Sequence, residues 1–495
     1  MEQFVSTVSG FLWGNAMIVL CLFVGVFFAV RTRFFWLRYF KTSIKLVVEK
    51  NTSAAGVSPF QAFSMALAGR IGTGNIVGVV TAIAVGGPGA VFWMWILAFF
   101  GAGTSLAECT LAQIYKEKKM GEYRGGPAFY MEKALGQKWM AVLFAIFCAV
   151  GNLLLIPGVH ANAITTSLDN AFHIPTWAGG LIIVVLMAFI IFGNVKRIAT
   201  VSQYVVPFMS VAYIVMVLIV LGANITQVPA TFGLIFSSAF GVNAVFGGIV
   251  GSAIVWGVKR GVNSCSAGMG TAPQSAAAAE VSHPIKQGMV QGVSVYVDTL
   301  LVCTATALMV LVTGCYNVTS EATGEVLFNG MGSVAAGASW AQAAASTVFG
   351  NLGSAFVAIA LFFFSFTSLM AAYYIGETNA VFFMSDEKRE KAKPLFLALK
   401  VIFLGMVLFG SVKSGGLVWA MNDIGTGFMC WTNLICLLLL SGIVKKAIDD
   451  FERQKKAGLN PVFDPEKAGI HNASLWSSDE MKKRYQDLNR NAGEK

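Results

Sequence analysis

Glycine, hydroxyl and ionisable residues interrupt the apolar stretches of this chain at a few places, and these residues could do chemistry. Gly69, Gly72 and Gly74 fall within six positions, directly before Asn75, in a run of helical length. Glycine weakens a helix, and a broken apolar helix frees backbone amides and carbonyls. Freed amides can bind a carboxylate, and freed carbonyls can bind Na⁺. Close packing of neighbouring helices is the alternative explanation for these glycines.

A second glycine cluster and a hydroxyl cluster add to this pattern. Gly247 and Gly248 stand about five helices after the first cluster, and paired interruptions of this kind are typical of transporter binding sites. Ser365, Thr367 and Ser368 lie within a long apolar run. Their oxygens suit a hard cation such as Na⁺, although such hydroxyls also bond to carbonyls of their own helix.

Ionisable residues within apolar stretches are costly and usually functional. Asp298 lies deepest, and we expect it to pair with Arg70 or with another polar group as a structural lock, with a proton relay as the alternative. Glu108 and Glu377 lie towards the ends of their predicted helices, where a gating role and a half-solvated position are both compatible with the sequence. Asp423 lies near mid-helix and is assigned no role.

The elements that position these residues must be membrane helices. Only 12% of the residues are charged and 56% are hydrophobic, and a soluble chain could not bury so much apolar surface in one core. The eight cysteines form no CxxC pair and no cluster with histidine, so neither a zinc site nor a disulfide framework is predicted. The sequence has no nucleophile elbow, phosphate-binding loop or metalloprotease motif.

Apolar runs of about 20 residues, the length that crosses a bilayer, predict eleven helices. The first run carries its arginines after the apolar residues, which indicates a retained helix rather than a signal peptide. The run over 58–85 is the least certain as a single rod because of its glycines. The predicted segments are 11–31, 58–85, 89–115, 139–165, 177–194, 199–222, 240–258, 287–313, 353–384, 395–411 and 416–444.

The distribution of lysine and arginine predicts the orientation of these helices, since both residues favour cytoplasmic loops. With the N-terminus outside and the C-terminus cytoplasmic, the inner segments hold 33 of the 35 Lys and Arg residues, the exceptions being Lys413 and Arg70. The net charge of +10 therefore predicts topology and contact with membrane lipids, and not nucleic-acid binding. We expect a bacterial inner-membrane protein with a loosely ordered tail. The inner segments are 31–50, 116–138, 194–200, 259–286, 385–400 and the tail, 445–495.

Longer motifs occur along almost the whole chain, from about Phe11 to Pro465. They are Gly72-Thr-Gly-Asn75, Gly86-Gly-Pro-Gly-Ala-Val-Phe-Trp-Met-Trp95, Glu108-Cys-Thr-Leu-Ala-Gln-Ile-Tyr115, Arg124-Gly-Gly-Pro-Ala-Phe-Tyr130, Ala267-Gly-Met-Gly-Thr-Ala-Pro273, Val297-Asp298-Thr299 and Pro461-Val-Phe-Asp-Pro465. Together these motifs resemble those of the alanine or glycine:cation symporter family.

The resemblance implies an all-α polytopic membrane protein of about eleven transmembrane helices, with a LeuT-type five-plus-five inverted repeat and an extra N-terminal helix. Residues 1–57 would form that extra helix and a basic cytoplasmic connector, 58–230 and 231–444 the two repeats, and 445–495 the cytoplasmic tail. It also implies alternating-access import of a small neutral amino acid, alanine or glycine, coupled to Na⁺ or alternatively to H⁺. Neither an enzymatic activity nor an obligate protein partner is expected.

The resemblance further implies a set of site residues. The first broken helix would bind the substrate carboxylate, helix seven would face it with a second break, and a cation would bind to two carbonyls and two hydroxyls. The implied substrate-binding residues are Gly72, Thr73, Gly74, Asn75, His160, Asn162, Phe246, Gly247 and Gly248, and the implied cation ligands are the carbonyls of Ala68 and Ile71 and the hydroxyls of Thr367 and Ser368.

Two positions depart from the pattern of the family. Relatives commonly have Gln where this chain has His160, and a histidine can change its charge near neutral pH, which leaves the substrate open. Relatives tend to have Glu where this chain has Ser266, so a carboxylate is missing from a predicted inner loop and we expect gating to be altered there. A symporter for a different amino acid or related small solute is the main alternative. A channel or a membrane-embedded enzyme is a distant one.

Overall fold

The computed structural model describes residues 2–49, 53, 55–192, 195–384 and 389–485. Parts of the predicted inner segments 31–50, 194–200 and 385–400 therefore lie outside the described residues, as do the last ten residues of the predicted tail. The described chain is predominantly helical, with two short β-hairpins.

The helices and strands are numbered in chain order. In the first half, β1 and β2 form a hairpin between α7 and α8. The elements are α1 Glu2–Leu12, α2 Asn15–Arg31, α3 Phe35–Arg38, α4 Phe40–Val47, α5 Pro59–Arg70, α6 Val79–Gly86, α7 Gly89–Ile114, β1 Glu117–Lys119, β2 Glu122–Arg124, α8 Pro127–Leu135, α9 Lys138–Val150, α10 Pro157–Phe172, α11 Thr176–Ile191 and α12 Val195–Ala223.

In the second half, β3 and β4 form an antiparallel hairpin between α17 and α18. Wide π-helical turns at Gly74–Gly78, Gly151–Leu155 and Tyr296–Cys303 connect successive helices of the chain. The elements are α13 Val228–Ala239, α14 Val250–Cys265, α15 Ala272–Ala277, α16 Pro284–Val295, α17 Thr304–Val312, β3 Asn317–Thr319, β4 Val326–Asn329, α18 Ala338–Phe349, α19 Asn351–Phe382, α20 Arg389–Val412, α21 Gly415–Leu439, α22 Ser441–Lys456 and α23 Asp479–Tyr485.

Several of these helices are suited to cross a membrane. Among the described residues, seven helical segments are long and apolar enough, and nine are if each of two bent pairs counts as one span. The chain is therefore a polytopic membrane protein. Each of the eleven predicted segments overlaps a helix, but 177–194 corresponds to the 16-residue α11, and helical structure in 240–258 begins only at Gly247. The count of eleven crossings and the inverted repeat stay predictions.

Helices α5 and α6 form one broken helix, bent by 48°. Ser58 begins it with a capping box, in which its hydroxyl accepts from the Gln61 amide and the Gln61 side chain accepts from the Ser58 amide. The backbone leaves helical geometry at Ile71, with ψ of 98°, and helical structure resumes at Gly74. The expectation that this segment is not a single rod is confirmed.

Small residues bring α14 close to the broken helix. A Cβ at Gly86 would lie 3.0 Å from Ala253 Cα, and one at Gly74 would lie 3.4 Å from Ser264 Cα. Small side chains of this kind let helix backbones approach closely within a membrane. Helix α14 therefore runs alongside α6, from the predicted outer end at Gly86 to the break.

The C-terminal part of the chain packs against the predicted cytoplasmic face. Trp476 is 2% exposed, and its indole N–H donates to the Gln113 carbonyl at 2.8 Å. The Tyr485 hydroxyl bonds to the buried carboxylate of Glu280. The expectation of a loosely ordered tail is wrong for residues 445–485, because aromatic side chains spread along this polar segment are buried.

Candidate functional site

Asn75 holds the broken helix open at its break. The Gly72 amide donates to Asn75 Oδ1 at 2.8 Å, although in a continuous helix it would donate to the Ala68 carbonyl. The Asn75 amide donates to the Gly72 carbonyl at 3.2 Å, although a continuous helix would direct it to Ile71. The carbonyls of Ala68 and Ile71 are thus available to other partners.

Ser368 of α19 contacts both of these carbonyls. Its hydroxyl oxygen lies 2.9 Å from the carbonyl oxygen of Ala68 and 3.4 Å from that of Ile71, and the side chain is buried. Glycine is required at Gly72, because a Cβ there would overlap the Ser368 hydroxyl. The structure therefore brings three of the four predicted cation ligands together.

Further hydroxyls extend this cluster towards His160. Thr73 Oγ1 lies 2.8 Å from Ser365 Oγ and 3.0 Å from His160 Nδ1. Thr367, the fourth predicted ligand, instead donates to the Phe364 carbonyl of its own helix at 2.9 Å. Its hydroxyl proton is thus satisfied within α19, which is the alternative that the sequence left open.

A narrow cavity of about 50 Å³ lies beside the hydroxyl cluster. A single water needs about 10–15 Å³ on this scale, so the cavity suits a solute of few non-hydrogen atoms. The lining is polar on several sides. It includes the predicted residues Thr73, Gly74, His160 and Ser368, together with Asn152, Asn263, Ser266, Met269, Thr271, Trp419, Asn422 and Thr426.

A second helix interruption, at residues 266–271 between α14 and α15, forms another wall of the cavity. Ser266, Gly268 and Gly270 have φ of 54°, 81° and 80°, a backbone region that favours glycine. Glu108 Oε2 accepts a hydrogen bond from the Gly270 amide at 3.2 Å and so fixes the turn from behind. The sequence predicted an inner loop for this segment; its residues are buried and line the cavity, and its position on the inner side stays a prediction.

The structure does not bring every predicted substrate-binding residue to the cavity. Phe246, Gly247 and Gly248 lie in the turn that begins α14, where Gly247 packs against Gly241. These three residues do not line the cavity, and the helix interruption that does line it lies one helix length further along, at residues 266–271. Asn162 donates to the Lys413 carbonyl at 2.8 Å and is absent from the lining. Asn75 shapes the break without lining the cavity.

Comparisons with known proteins decide the family. Residues 1–465 match the family described as Sodium:alanine symporter family. The chain belongs to the sodium:alanine symporter family. The family predicted from the motifs is confirmed, and with it a transporter rather than an enzyme.

Individual relatives of this symporter are similar over nearly their whole length. It is 50% identical over 479 residues to a "Putative sodium/proton-dependent alanine carrier protein YrbD" of Bacillus subtilis, covering 97% of this chain and 98% of that one. It is 49% identical over 436 residues to a "Sodium/proton-dependent alanine carrier protein" of Bacillus sp. (strain PS3), covering 88% of this chain and 97% of that one. It is 40% identical over 474 residues to a "Probable sodium/glutamine symporter GlnT" of Bacillus subtilis, covering 95% of each chain.

The donor atoms at the break of the symporter fit Na⁺. Oxygen ligands suit a hard cation, and the two freed carbonyls converge on the Ser368 hydroxyl. The described residues contain no group of three or more His, Cys, Asp or Glu that could hold a metal ion.

Asp298 and Arg70 do not pair with each other. Asp298 accepts from the Asn75 side chain at 2.7 Å and from the Ser264 hydroxyl at 2.8 Å. Arg70 donates to the Cys265 carbonyl at 2.6 Å and to neutral groups of α7 and α16. Asp298 therefore pairs with the other polar partners that the sequence allowed and ties the break to α14.

Glu108 and Glu377 differ in their surroundings. Glu108 is fully buried, so the half-solvated explanation is wrong for it. The Glu377 side chain is 21% exposed, and it pairs with Arg124 at 3.4 Å near the predicted inner face. The half-solvated explanation therefore agrees with the position of Glu377.

Sequence reasoning missed an ion cluster of Lys259, Arg260 and Asp423. Asp423 accepts from both terminal nitrogens of Arg260, at 3.1 and 3.2 Å, and lies 2.7 Å from Lys259 Nζ. The two cations were counted with the inner segment 259–286, whereas they lie within α14. An aspartate within a membrane helix usually pairs with a cation. The position of Asp423 near mid-helix could therefore have indicated that a lysine or arginine lies beside it.

Proposed function

We propose that this protein couples the import of alanine, or of a similarly small neutral amino acid such as glycine, to the entry of Na⁺, with H⁺ as the alternative coupling ion. The observation that carries the proposal is the pair of carbonyls freed at the break, which converge on Ser368 beside a small polar cavity. The names of two relatives, both sodium/proton-dependent alanine carriers, support the same ion and substrate.

In this proposal the ion and the amino acid bind on either side of one break in the helix. Na⁺ would bind to the carbonyls of Ala68 and Ile71 and to the Ser368 hydroxyl. The substrate would occupy the cavity, where Thr73 and Gly74 follow the break and His160 bonds to Thr73. Each ligand stabilises the same arrangement of the break, and two ligands that favour one conformation promote each other's binding.

The transport cycle that we propose is alternating access in a LeuT-type inverted repeat. The protein would lie in the bacterial inner membrane with its N-terminus outside and its C-terminus in the cytoplasm. The positions of lysine and arginine support this orientation, although Lys259 and Arg260 no longer count towards it. The inward Na⁺ gradient would supply the work.

Glutamine is a second candidate substrate. A relative named as a probable sodium/glutamine symporter is 40% identical, and the carboxamides of Asn152, Asn263 and Asn422 line the cavity, where they could pair with a substrate amide. The cavity of about 50 Å³ favours alanine, since a longer side chain needs more space than a few waters occupy.

Uptake into proteoliposomes tests the proposal. Purified protein is reconstituted and supplied with labelled alanine, glycine or glutamine under an inward Na⁺ gradient, an inward H⁺ gradient or neither. We expect Na⁺-driven accumulation of alanine that excess unlabelled alanine abolishes and excess glutamine reduces only weakly. Accumulation that is unaffected by either gradient would exclude symport, and preferential uptake of glutamine would replace alanine as the substrate.

A further inference from the structure

Lys259, Arg260 and Asp423 form a buried ion cluster that the proposed site does not use. These side chains are 10%, 3% and 4% exposed, and they join α14 to α21. The cluster holds two cations and a single carboxylate. Because charges removed from water are costly unless they are paired, the surplus cation favours the binding of a further anion.

The hydrogen bonds of Arg260 indicate where that anion would bind. Its two terminal nitrogens face the two oxygens of Asp423, Nη1 with Oδ1 at 3.1 Å and Nη2 with Oδ2 at 3.2 Å. The Nε–H on the adjoining edge is buried and has no hydrogen-bond partner among the described residues. A guanidinium carries its donors in a planar fork that matches carboxylates. Asp423 occupies the end of this fork, and the Nε edge, called the open edge below, has no hydrogen-bond partner among the described residues.

The cluster lies between the cavity and the face proposed to be outside. The Arg260 guanidinium lies 4.4 Å from the ring of Trp419 and 5.1 Å from that of Trp256. Trp419 also lines the cavity. Trp256 donates to Glu321 at 3.0 Å, in the β3–β4 hairpin of the predicted outer face. Glu321 is exposed, and its charge attracts Lys259 less than that of Asp423 does.

We propose that Lys259 and Arg260 form an outer carboxylate site, which receives the α-carboxylate of the amino acid before it reaches the cavity. This inference rests on the proposed function. A carboxylate at the open edge of Arg260 balances the surplus cation and competes with Asp423. Asp423 can then release Arg260, so α21 separates from α14 at a lower cost in free energy. When the carboxylate moves on to the cavity, Asp423 pairs again and closes the outer path.

Replacing Lys259 separates arrival at the outer site from binding in the cavity. We expect Lys259→Gln to lower the initial rate of uptake at low alanine concentration about tenfold, with the maximal rate unchanged. The dissociation constant of alanine, measured in detergent with saturating Na⁺, should stay within twofold of wild type. Lys413→Gln is the matched control, because it removes one lysine from the predicted outer side without touching the cluster, and its uptake should equal that of wild type.

Two results would overturn the carboxylate site. Equal uptake rates in Lys259→Gln and Lys413→Gln would show that Lys259 contributes no more to uptake than a lysine outside the cluster. A dissociation constant that rises in step with the loss of uptake would move the effect into the cavity. Arg260→Lys keeps the charge but loses the fork, and we expect it to lower uptake at low alanine at least fivefold, whereas wild-type kinetics would contradict the role of the open edge.

The closing role of Asp423 can be tested without any substrate. Thr426→Cys places a thiol in the cavity lining, in a Cys315→Ser background that removes the half-buried cysteine beside the outer hairpin. We expect Asp423→Asn to raise the rate of labelling by a membrane-impermeant thiol reagent at least tenfold. An unchanged rate in protein with an unchanged thermal unfolding midpoint would contradict the closure. If wild-type vesicles fail to accumulate alanine while this rate rises, the proposed substrate is wrong and the closure stands.

Discussion

Ser368 and Thr367 are neighbours on α19 that offer the same kind of oxygen in different surroundings. The Ser368 hydroxyl contacts two carbonyls of the break as well as the Phe364 carbonyl of its own helix, at 3.0 Å, whereas the Thr367 hydroxyl contacts only the Phe364 carbonyl among the described residues. Only the former lies where the freed carbonyls converge. The two side chains therefore form a natural pair for testing which oxygen binds the ion.

We expect Ser368→Ala to raise the Na⁺ concentration for half-maximal alanine uptake about tenfold, which corresponds to about 1.4 kcal/mol of lost binding free energy. Thr367→Ala should raise it less than threefold. Uptake is measured in proteoliposomes over a range of Na⁺ at constant ionic strength. A larger effect for Thr367→Ala would indicate that its side chain rotates to bind the ion, and no effect for either would place the cation elsewhere.

His160 lies at the border between the proposed ion site and the proposed substrate site, 3.0 Å from Thr73. We expect His160→Gln to change the ratio of alanine to glycine uptake at least threefold, because the imidazole lines a small cavity and a carboxamide has a different shape. Competition between labelled alanine and unlabelled glycine measures this ratio. An identical ratio and an identical pH profile in both proteins would make His160 a packing residue.

At this scale the structure brings together most of the predicted cation ligands and fewer of the predicted substrate-binding residues. Ala68, Ile71 and Ser368 were implied by the family resemblance, while the glycines alone indicated only a break. Asn263, Asn422 and Trp419 were missed, because nothing in their local sequence distinguishes a cavity-lining position from a packing position. The spacing of the glycines is visible in the sequence, while the direction of a polar side chain is decided by the packing of whole helices.

At the scale of the element, the broken helix depends on the side chain of Asn75. This side chain accepts a hydrogen bond from the Gly72 amide and donates one to Asp298. It therefore diverts a helical hydrogen bond and connects the break to the π-helical turn Tyr296–Cys303. We expect Asn75→Ala to abolish uptake and to lower the free energy of unfolding by about 1–3 kcal/mol, since a buried acceptor loses its donor.

Thr81→Val is the control for this variant, because Thr81 is on α6 and bonds only to the Val77 carbonyl of its own helix, at 2.7 Å. It should transport like wild type. Uptake and thermal unfolding in detergent check both proteins. Normal Na⁺-dependent uptake by Asn75→Ala would mean that the break forms without this side chain.

The residues before the second break show how a clear charge pattern can be given the wrong place in the fold. The glycines of 266–271 follow Lys259 and Arg260 closely, and two adjacent cations normally mark the cytoplasmic end of a helix. Here both cations pair with the single carboxylate of Asp423 within the bundle. The rule that lysine and arginine lie in cytoplasmic loops therefore failed here, because ion pairs with Asp423 lower the free-energy cost of burying both cations within the helix bundle.

At the scale of the whole molecule, the C-terminal segment covers the predicted inner face around Lys116. This lysine is buried and lies 4.2 Å from the ring of Tyr123 and 5.3 Å from that of Trp476. Burial lowers the pKa of Lys116 to about 7, although the Glu280 carboxylate opposes this shift. The sequence did not predict that the C-terminal segment packs around Lys116, because the aromatic residues of that segment are widely spaced among polar residues and show no helical periodicity.

The pKa of Lys116 gives the stability of the protein a defined pH dependence. Between about pH 7 and the ordinary lysine value of 10.5, the unfolded chain holds a proton that the folded chain has lost, so stability rises with pH in this window. We expect Lys116→Met to flatten the rise of the thermal unfolding midpoint between pH 7 and pH 9.

Lys118→Met is the matched control, because the side chain of Lys118 is 46% exposed and lies only two positions further along. It should keep the wild-type slope. Unfolding is followed in detergent at three or more pH values. Equal slopes in all three proteins would show that Lys116 stays protonated in the folded state.

The bond from Trp476 to Gln113 spans 363 positions of the chain. A ribosome adds about 5–20 residues per second, so roughly 20–70 s separate the synthesis of the two partners. During that interval α7 has been translated while its predicted cytoplasmic end lacks its cover, and Lys116 is exposed to water. Nascent chains of this transporter therefore pass through a long stage in which the translated helices are open to proteases at one face. For the same reason, a reporter fused close behind Tyr485 would interfere with the last step of assembly.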